Sequence, residues 1–286
     1  MGSGAKYEMH LPSNKFSDLM AKYLAKRLDA HIIYVSGLRR SGHHAVINWL
    51  IACFTDNAEG VKYPTDRKWF RVSEDNKVAH INAVDYQNPR KLYQALGVLK
   101  NDACTVNTLI VSSEDCSAMN PHWFSTLAAA EIYVTRGLLN NMASRIQYMV
   151  NSSLKGSRGN TSTRVDAEFF KNWIEHRTVQ SNDTRLRVDY DLWCINDAYR
   201  EELAGKLAVP INGNHAIQTD NEFAYCSSFG SAIPTDPRAY LTRYKEISWH
   251  PRLIEKVLSN NSLSEFITSD ELSYLNSQAN KLLIAA

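Results

Sequence analysis

Within eight residues, Gly37-Leu-Arg-Arg-Ser-Gly-His-His44, the chain sets two guanidinium groups and one hydroxyl between two glycines and follows them at once with two imidazoles. Those residue types suit the binding of a multiply charged oxyanion. Arg39 and Arg40 carry fixed charge on forked donors that match phosphate or sulfate oxygens. If a helix starts here, its first backbone N–H groups have no intrahelical partner and lie at its positive pole, where anions bind. The elements needed to build that arrangement flank the run. His31-Ile-Ile-Tyr-Val-Ser36 is apolar, β-branched and aromatic, the composition of a buried strand. Ala45, Val46, Ile47, Trp49 and Leu50 follow in a helical pattern. The order is strand, anion loop, helix.

Spacing narrows the choice of anion. From Gly37 to Gly42 the pattern is G-x-x-x-x-G, as in a nucleotide-hydrolysing P-loop, where Lys and Ser/Thr come next for the β/γ-phosphates and magnesium. His43 and His44 hold those places, so the lysine and the magnesium-binding hydroxyl are both missing. A second cluster is Ile132-Tyr-Val-Thr-Arg136, followed by Gly137-Leu-Leu-Asn-Asn-Met-Ala and Ser144-Arg145. An arginine at the carboxyl end of a parallel strand faces the ligand crevice of an open α/β sheet. Ser144 lies about two helical turns further on. Late in the chain come Tyr225-Cys-Ser-Ser-Phe-Gly230 and Arg243-Tyr-Lys245.

Together these motifs resemble those of sulfotransferases that use 3′-phosphoadenosine 5′-phosphosulfate (PAPS). Arg40-Ser41-Gly42 is similar to the 5′-phosphosulfate loop, with Arg for the usual Lys and His43-His44 for the usual hydroxyl pair. Arg136 and Ser144 are similar to the pair that grips the 3′-phosphate, with Gly137 replacing an acidic residue. The resemblance implies PAPS as donor, 3′-phosphoadenosine 5′-phosphate as product, and no metal. It implies donor contacts from Arg39, Arg40, Ser41, Gly42, His43, His44, Ala45, Arg136 and Ser144. Phe229, Arg243 and Lys245 would close over the adenine and 3′-phosphate. It spans residues 31–150 and, more loosely, 225–245. The run Gly37–His44 also resembles a bacterial subgroup, cyanobacterial enzymes included, that tailors small natural products such as guanidinium toxins of the saxitoxin type.

Sulfuryl transfer to a hydroxyl or amine requires stabilisation of charge on the transferred oxygens and a base near the acceptor. Arg40 and the loop amides meet the first need. Glu114 and Asp115 directly follow the Thr108–Ser113 strand, and Glu114 is the expected base. His43 is expected to donate to the sulfuryl oxygens, and His44 to support the helix start or contact the 5′-phosphate. Asp115 is either an acceptor contact or a helix cap, and His80 a core histidine. Tyr63, Trp69, Tyr86, Tyr148 and the polar stretch 151–163 are further acceptor candidates, although Trp69 and Phe70 equally suit packing. Glu74, Asp75, Asp85, Glu114 and Asp115 in one pocket would suit a cationic acceptor. Two other readings stay open: a P-loop kinase or NTPase, and a non-catalytic nucleotide-binding protein.

The frame is set by the whole chain. Its 286 residues carry 32 basic and 30 acidic side chains, a net charge of +2 that excludes a nucleic-acid-coating protein. No apolar run approaches the roughly 20 residues of a membrane span, and no secretory core follows Met1. Met1–Ala5 reads as a cloning scar. Five cysteines without a C-x-x-C pair point to free thiols and a cytoplasmic setting. Strands are expected at 77–84, 107–113, 131–135 and 184–189, besides the first. Helices are expected at 89–99, from Pro121, after Arg136 to about Val150, and at 196–207. Strand–helix alternation predicts a P-loop-like three-layer α/β/α fold with a central parallel sheet of about five strands. One domain over 1–286 is expected, with 210–286 a mostly helical covering region. A small-molecule acceptor is the expected partner, with no nucleic acid or membrane, and the oligomeric state is left open.

Overall fold

The computed structural model describes residues 30–55, 61–62, 70–82, 106–119, 125, 128–154, 164–207 and 237–285. Its centre is a seven-stranded sheet in the order β2-β3-β4-β5-β1-β6-β7. The strands are β1 (His31–Gly37), β2 (Val61–Lys62), β3 (Phe70–Ser73), β4 (Val78–Asn82), β5 (Thr108–Glu114), β6 (Ala130–Thr135) and β7 (Arg185–Asp189). The five strands from β4 to β7 across β1 are mutually parallel. These are the five expected from sequence, with bounds shifted by one or two residues. The sheet is larger than expected because β2 and β3 add an antiparallel edge beside β4. Both strands are too short for an alternation pattern to stand out.

Parallel strands covered on both faces read as near-continuous apolar runs, and β1 is buried from Ile32 to Gly37. Ile33 and Val35 point to one face. There α1 (His43–Phe54), α4 (Tyr190–Ile195) and α5 (Asp197–Lys206) supply Val46, Ile47, Leu50, Trp193 and Leu203. On the opposite face α2 (Leu138–Leu154) and α3 (Ala167–Thr178) form a second core with α6 (Pro251–Leu258) and α7 (Ser269–Ala285). Tyr133 of β6 meets His176 of α3 edge-on at 5.6 Å, which seals α3 to that side of the sheet. The result is three layers, helices on both sides of the sheet.

Several elements depart from expectation. α2 continues to Leu154, four residues beyond the predicted end, because nothing in Asn151-Ser-Ser-Leu154 breaks a helix. α3 is additional to the expected helices. Its apolar positions Phe169, Phe170 and Trp173 have helical spacing, and Asp166 caps it by accepting from Phe169 N–H. The short α4 sits between β7 and α5, capped by Asp189 through Asp191 and Leu192 N–H. Beyond 210 the described segment is helical as expected: a 3-10 helix over Pro237–Glu246, another over Asn261–Phe266, then α6 and α7. The predicted helices at 89–99 and from Pro121, and the 155–163 stretch, lie outside the described residues. Among the described residues no helix is long and apolar enough to cross a membrane.

Candidate active site

The parallel strands that reach the site do so with their carboxyl ends, the edge where parallel sheets present ligand groups. Gly37 ends β1 and pairs in register with Glu114, the last residue of β5. Arg136 follows the last residue of β6, and Asn82 ends β4. Sequence order from β1 leads first to β4 and β5 on one side, then to β6 and β7 on the other. That reversal beside β1 opens the crevice.

The loop itself is built by two unusual backbone conformations. Arg40 has φ 68° and Gly42 φ 91°, both in the left-handed region. These turn the chain sharply enough that Ser41 N–H donates to Leu38 O at 2.9 Å and α1 starts at once. Gly42 has a second reason to be glycine. A Cβ there would lie 2.3–2.5 Å from the Tyr190 ring, which packs against the loop from α4. Gly42 supplies no side-chain cap, and no acidic residue occupies the first turn of α1. The positive pole of the helix is therefore not neutralised from within its own first turn.

Around this turn the structure gathers charge. Arg40 stacks its guanidinium 4.8 Å over the Tyr148 ring. Arg136, buried, donates from Nη1 to the Arg40 carbonyl at 3.3 Å and faces Asp191, whose Oδ1 is 3.6 Å from its Nε. Arg145, also buried, donates to the Arg39 carbonyl at 3.2 Å and to the Asp115 carboxylate. Arg39 N–H donates to the same carboxylate at 2.9 Å. Two buried arginines, one at the end of β6 and one on α2, thus hold the carbonyls of the two loop arginines, so the loop is clamped before any ligand arrives. Burial pushes the Asp115 and Asp191 carboxyls up, with Arg145 and Arg136 respectively opposing.

Glu114 sits at the centre. Its Oε2 lies 3.2 Å from Arg39 Nε, and its Oε1 3.2 Å from His43 Nε2 and 3.9 Å from His44 Nδ1. The two histidine rings lie 4.0 Å apart. Burial, assisted by Arg40 and Arg39, pushes His43 down to about 3; burial and the neighbouring His43 do the same for His44. Both imidazoles are therefore neutral near pH 7. Ser41 Oγ and His43 Nε2 are buried and make no hydrogen bond within the described residues. Such polar groups are costly unless something else completes them, and both flank the helix N-terminus. That pattern fits an oxyanion bound at the loop.

His43, His44 and Glu114 also offer one metal-ligand atom each, all within 4.8 Å of one another. Two neutral imidazoles and a carboxylate are a recognised metal set. Arg39 on the same carboxylate and Arg40 beside His43 make the position electropositive, which favours an anion over a dication.

The other sequence candidates fall as follows. Ala45 is in the first turn of α1, and its N–H bonds back to Gly42 O at 2.9 Å. Ser144 is buried on α2 beside Arg145. Arg243 is buried and Lys245 lies 5.7 Å over the Tyr244 ring, both on the 3-10 helix that packs on α2. Asp115 caps no described helix; it adopts φ 56° and commits its carboxylate to Arg39 and Arg145. Asp75 is taken up by Ser73 and Lys77. Glu114 faces Arg39, so the carboxylates of Asp75, Glu114 and Asp115 all have polar partners already, and Asp85 lies outside the described residues. Tyr63, Trp69, Tyr86 and Phe229 lie outside the described residues. Residues that sequence reasoning missed are Arg145, Tyr190, Asp191 and Asn82. Tyr190 and Asp191 directly follow a strand's carboxyl end, a position that could have signalled them.

No protein-family model matches the chain, and no curated protein matches it. Among solved structures it is similar to a sulfotransferase domain from the curacin biosynthetic pathway, at 16% sequence identity and a TM-score of 0.40. That match covers 77% of this chain and 92% of the other.

Proposed function

We propose that the protein transfers a sulfuryl group from PAPS to a hydroxyl or amine of a small acceptor. The observation that carries this reading is the anion loop. A helix N-terminus, two loop arginines, and buried Ser41 Oγ and His43 Nε2 without hydrogen bonds converge where no P-loop lysine or magnesium-binding hydroxyl exists. Mg–ATP needs that lysine and hydroxyl; a phosphosulfate needs only donors. Arg136, which follows β6 and holds the Arg40 carbonyl, and Ser144, buried on α2, are the groups proposed for the 3′-phosphate.

In the transfer, the acceptor oxygen or nitrogen attacks sulfur in line and forms a new bond to it. The bond from sulfur to the bridging phosphate oxygen breaks, and 3′-phosphoadenosine 5′-phosphate leaves with that electron pair. Arg40 and the amides at the start of α1 stabilise charge growing on the bridging and sulfuryl oxygens. The acceptor's proton passes to Glu114, whose Oε1 lies 3.2 Å from His43 Nε2.

The loop's resemblance to bacterial tailoring enzymes puts small natural products, saxitoxin-type guanidinium compounds among them, first in an acceptor screen. The test is thermal unfolding with 3′-phosphoadenosine 5′-phosphate, 5′-AMP and Mg–ATP, followed by transfer from labelled PAPS. Selective stabilisation by the 3′-phosphorylated nucleotide is expected, since a ligand bound only by the folded state raises its stability. Stabilisation by Mg–ATP alone would replace this reading with a kinase or NTPase. Nucleotide binding without transfer would leave a non-catalytic binding protein.

A further inference from the structure

Behind Glu114, away from the arginine loop, a line of polar side chains runs through the buried edge of the sheet. Arg71 on β3 donates from Nε to His80 Nδ1 on β4 at 3.0 Å. Arginine cannot accept, so His80 Nδ1 holds a lone pair and its Nε2 carries the proton. That Nε2–H meets Ser112 Oγ on β5 at 2.9 Å. Having accepted from His80, Ser112 donates its hydroxyl to Asn82 Oδ1 at 3.4 Å. The Asn82 amide is thereby turned so that Nδ2 faces His44 Nε2 at 3.3 Å. An amide N–H can only donate, so His44 Nε2 is the acceptor and the ring's proton sits on Nδ1. His44 Nδ1 lies 3.9 Å from Glu114 Oε1.

We infer that His80, Ser112 and Asn82 are positioning residues: a one-way chain of hydrogen bonds that starts at Arg71 fixes His44 as its Nδ1–H tautomer, facing Glu114. The consequence for catalysis rests on the sulfuryl-transfer reading; the tautomer itself does not. With Nδ1–H toward it, Glu114 faces Arg39 at Oε2 and His44 Nδ1–H and His43 at Oε1, so both ends of its carboxylate are oriented. The same chain explains the second histidine of the loop. A hydroxyl at position 44 is too short to span from Asn82 to Glu114, whereas an imidazole presents one nitrogen to each. It also removes the lone pair that a metal held by His43, His44 and Glu114 would need from His44 Nδ1.

The test uses the full chain with 15N-labelled histidine, the His44 signals being assigned by their loss in His44→Gln. The expected result is a protonated Nδ1 and a bare Nε2. Asn82→Asp is isosteric and still accepts from Ser112, but it offers His44 no N–H, so the His44 proton should move to Nε2. In the same variant kcat for sulfuryl transfer should fall about tenfold, the order typical when a partner that orients a reacting histidine is lost. KM for PAPS should stay within about twofold, because none of the three residues belongs to the donor loop. A wild-type His44 protonated on Nε2, an Asn82→Asp spectrum unchanged from wild type, or zinc bound through His44 Nδ1 would overturn the inference. A switched tautomer with unchanged kcat would overturn the positioning role alone. If the wild type transfers no sulfuryl group, the function proposed above fails, and the NMR result still decides the chain.

Discussion

At the scale of single residues, the proposed reaction assigns some groups to the donor and others to the proton. Glu114 and His43 share a 3.2 Å contact and sit on opposite sides of the same crevice edge, β5 and α1. Glu114→Gln keeps the shape and removes the charge. Turnover with saturating PAPS should drop roughly a hundredfold, the low end for loss of acid–base catalysis, with KM for PAPS little changed. Wild-type turnover in both Glu114→Gln and His43→Ala would end the assignment of Glu114 as base and of His43 as donor to the sulfuryl oxygens. Arg136 should behave in the opposite way. It supports the Arg40 carbonyl and is the proposed 3′-phosphate contact, so Arg136→Ala should raise KM for PAPS roughly tenfold or more, the worth of one or two charged hydrogen bonds. Arg136→Lys should recover part of that loss. An unaltered KM would remove the 3′-phosphate role.

At the scale of elements, the turn from β1 into α1 depends on one position more than any other. Gly42 combines φ 91° with a Tyr190 ring where a side chain would stand. Gly42→Ala therefore meets two penalties, left-handed backbone strain and a clash with the half-buried Tyr190 ring. Together these should cost more than about 2 kcal/mol of stability, measured as the shift of the urea midpoint. By contrast Asp166→Ala removes only the N-cap of α3, on the far side of the sheet. A loss of about 1 kcal/mol is expected there, without any change in nucleotide binding. If Gly42→Ala were as mild as Asp166→Ala, the close packing of Tyr190 on the loop would be wrong.

At the scale of the whole molecule, burial of histidines sets how stability responds to acid. His43 and His44 are pushed down to about 3, and His80 and His176 are also lowered, all chiefly by burial. The unfolded chain takes up those protons as pH falls below about 6.5, while the folded chain resists until much lower. Their contribution to stability is thus complete above about pH 6.5 and is lost as the pH falls toward 3. Asp115, Asp191 and Glu271, raised by burial, act in the other direction, but among the described residues four histidines outweigh three carboxyls. The melting temperature should fall steadily from pH 7 to pH 4.5, and less steeply in a His43→Gln, His44→Gln double variant. A melting temperature that rises with acid over this range would contradict the burial of these rings.

How much was legible beforehand follows from the range of each interaction. The five parallel strands, the glycine-bounded loop and the start of α1 are local patterns: apolar runs of strand length, turn residues, and apolar residues at helical spacing. The sequence alone determined these, together with the absence of a P-loop lysine. It also marked Glu114 and Arg136, because a residue that ends a parallel strand is bound to face the crevice. What it could not determine is which groups meet across the sheet. Arg145 reaches Asp115 over 30 residues, Arg136 reaches Arg40 over 96, and Asn82 reaches His44 over 38. None of those pairings leaves a periodic trace, since side-chain direction at strand ends is set by register and helix docking. The edge strands β2 and β3 escaped for the same reason, being too short to show a pattern before β4 pairs with them. The His43-His44 pair shows the division most clearly. Sequence alone showed two imidazoles where hydroxyls were expected. Only the folded molecule decided that one faces Glu114 from within the loop, while the other is held by Asn82 from a strand that the chain reaches 38 residues later.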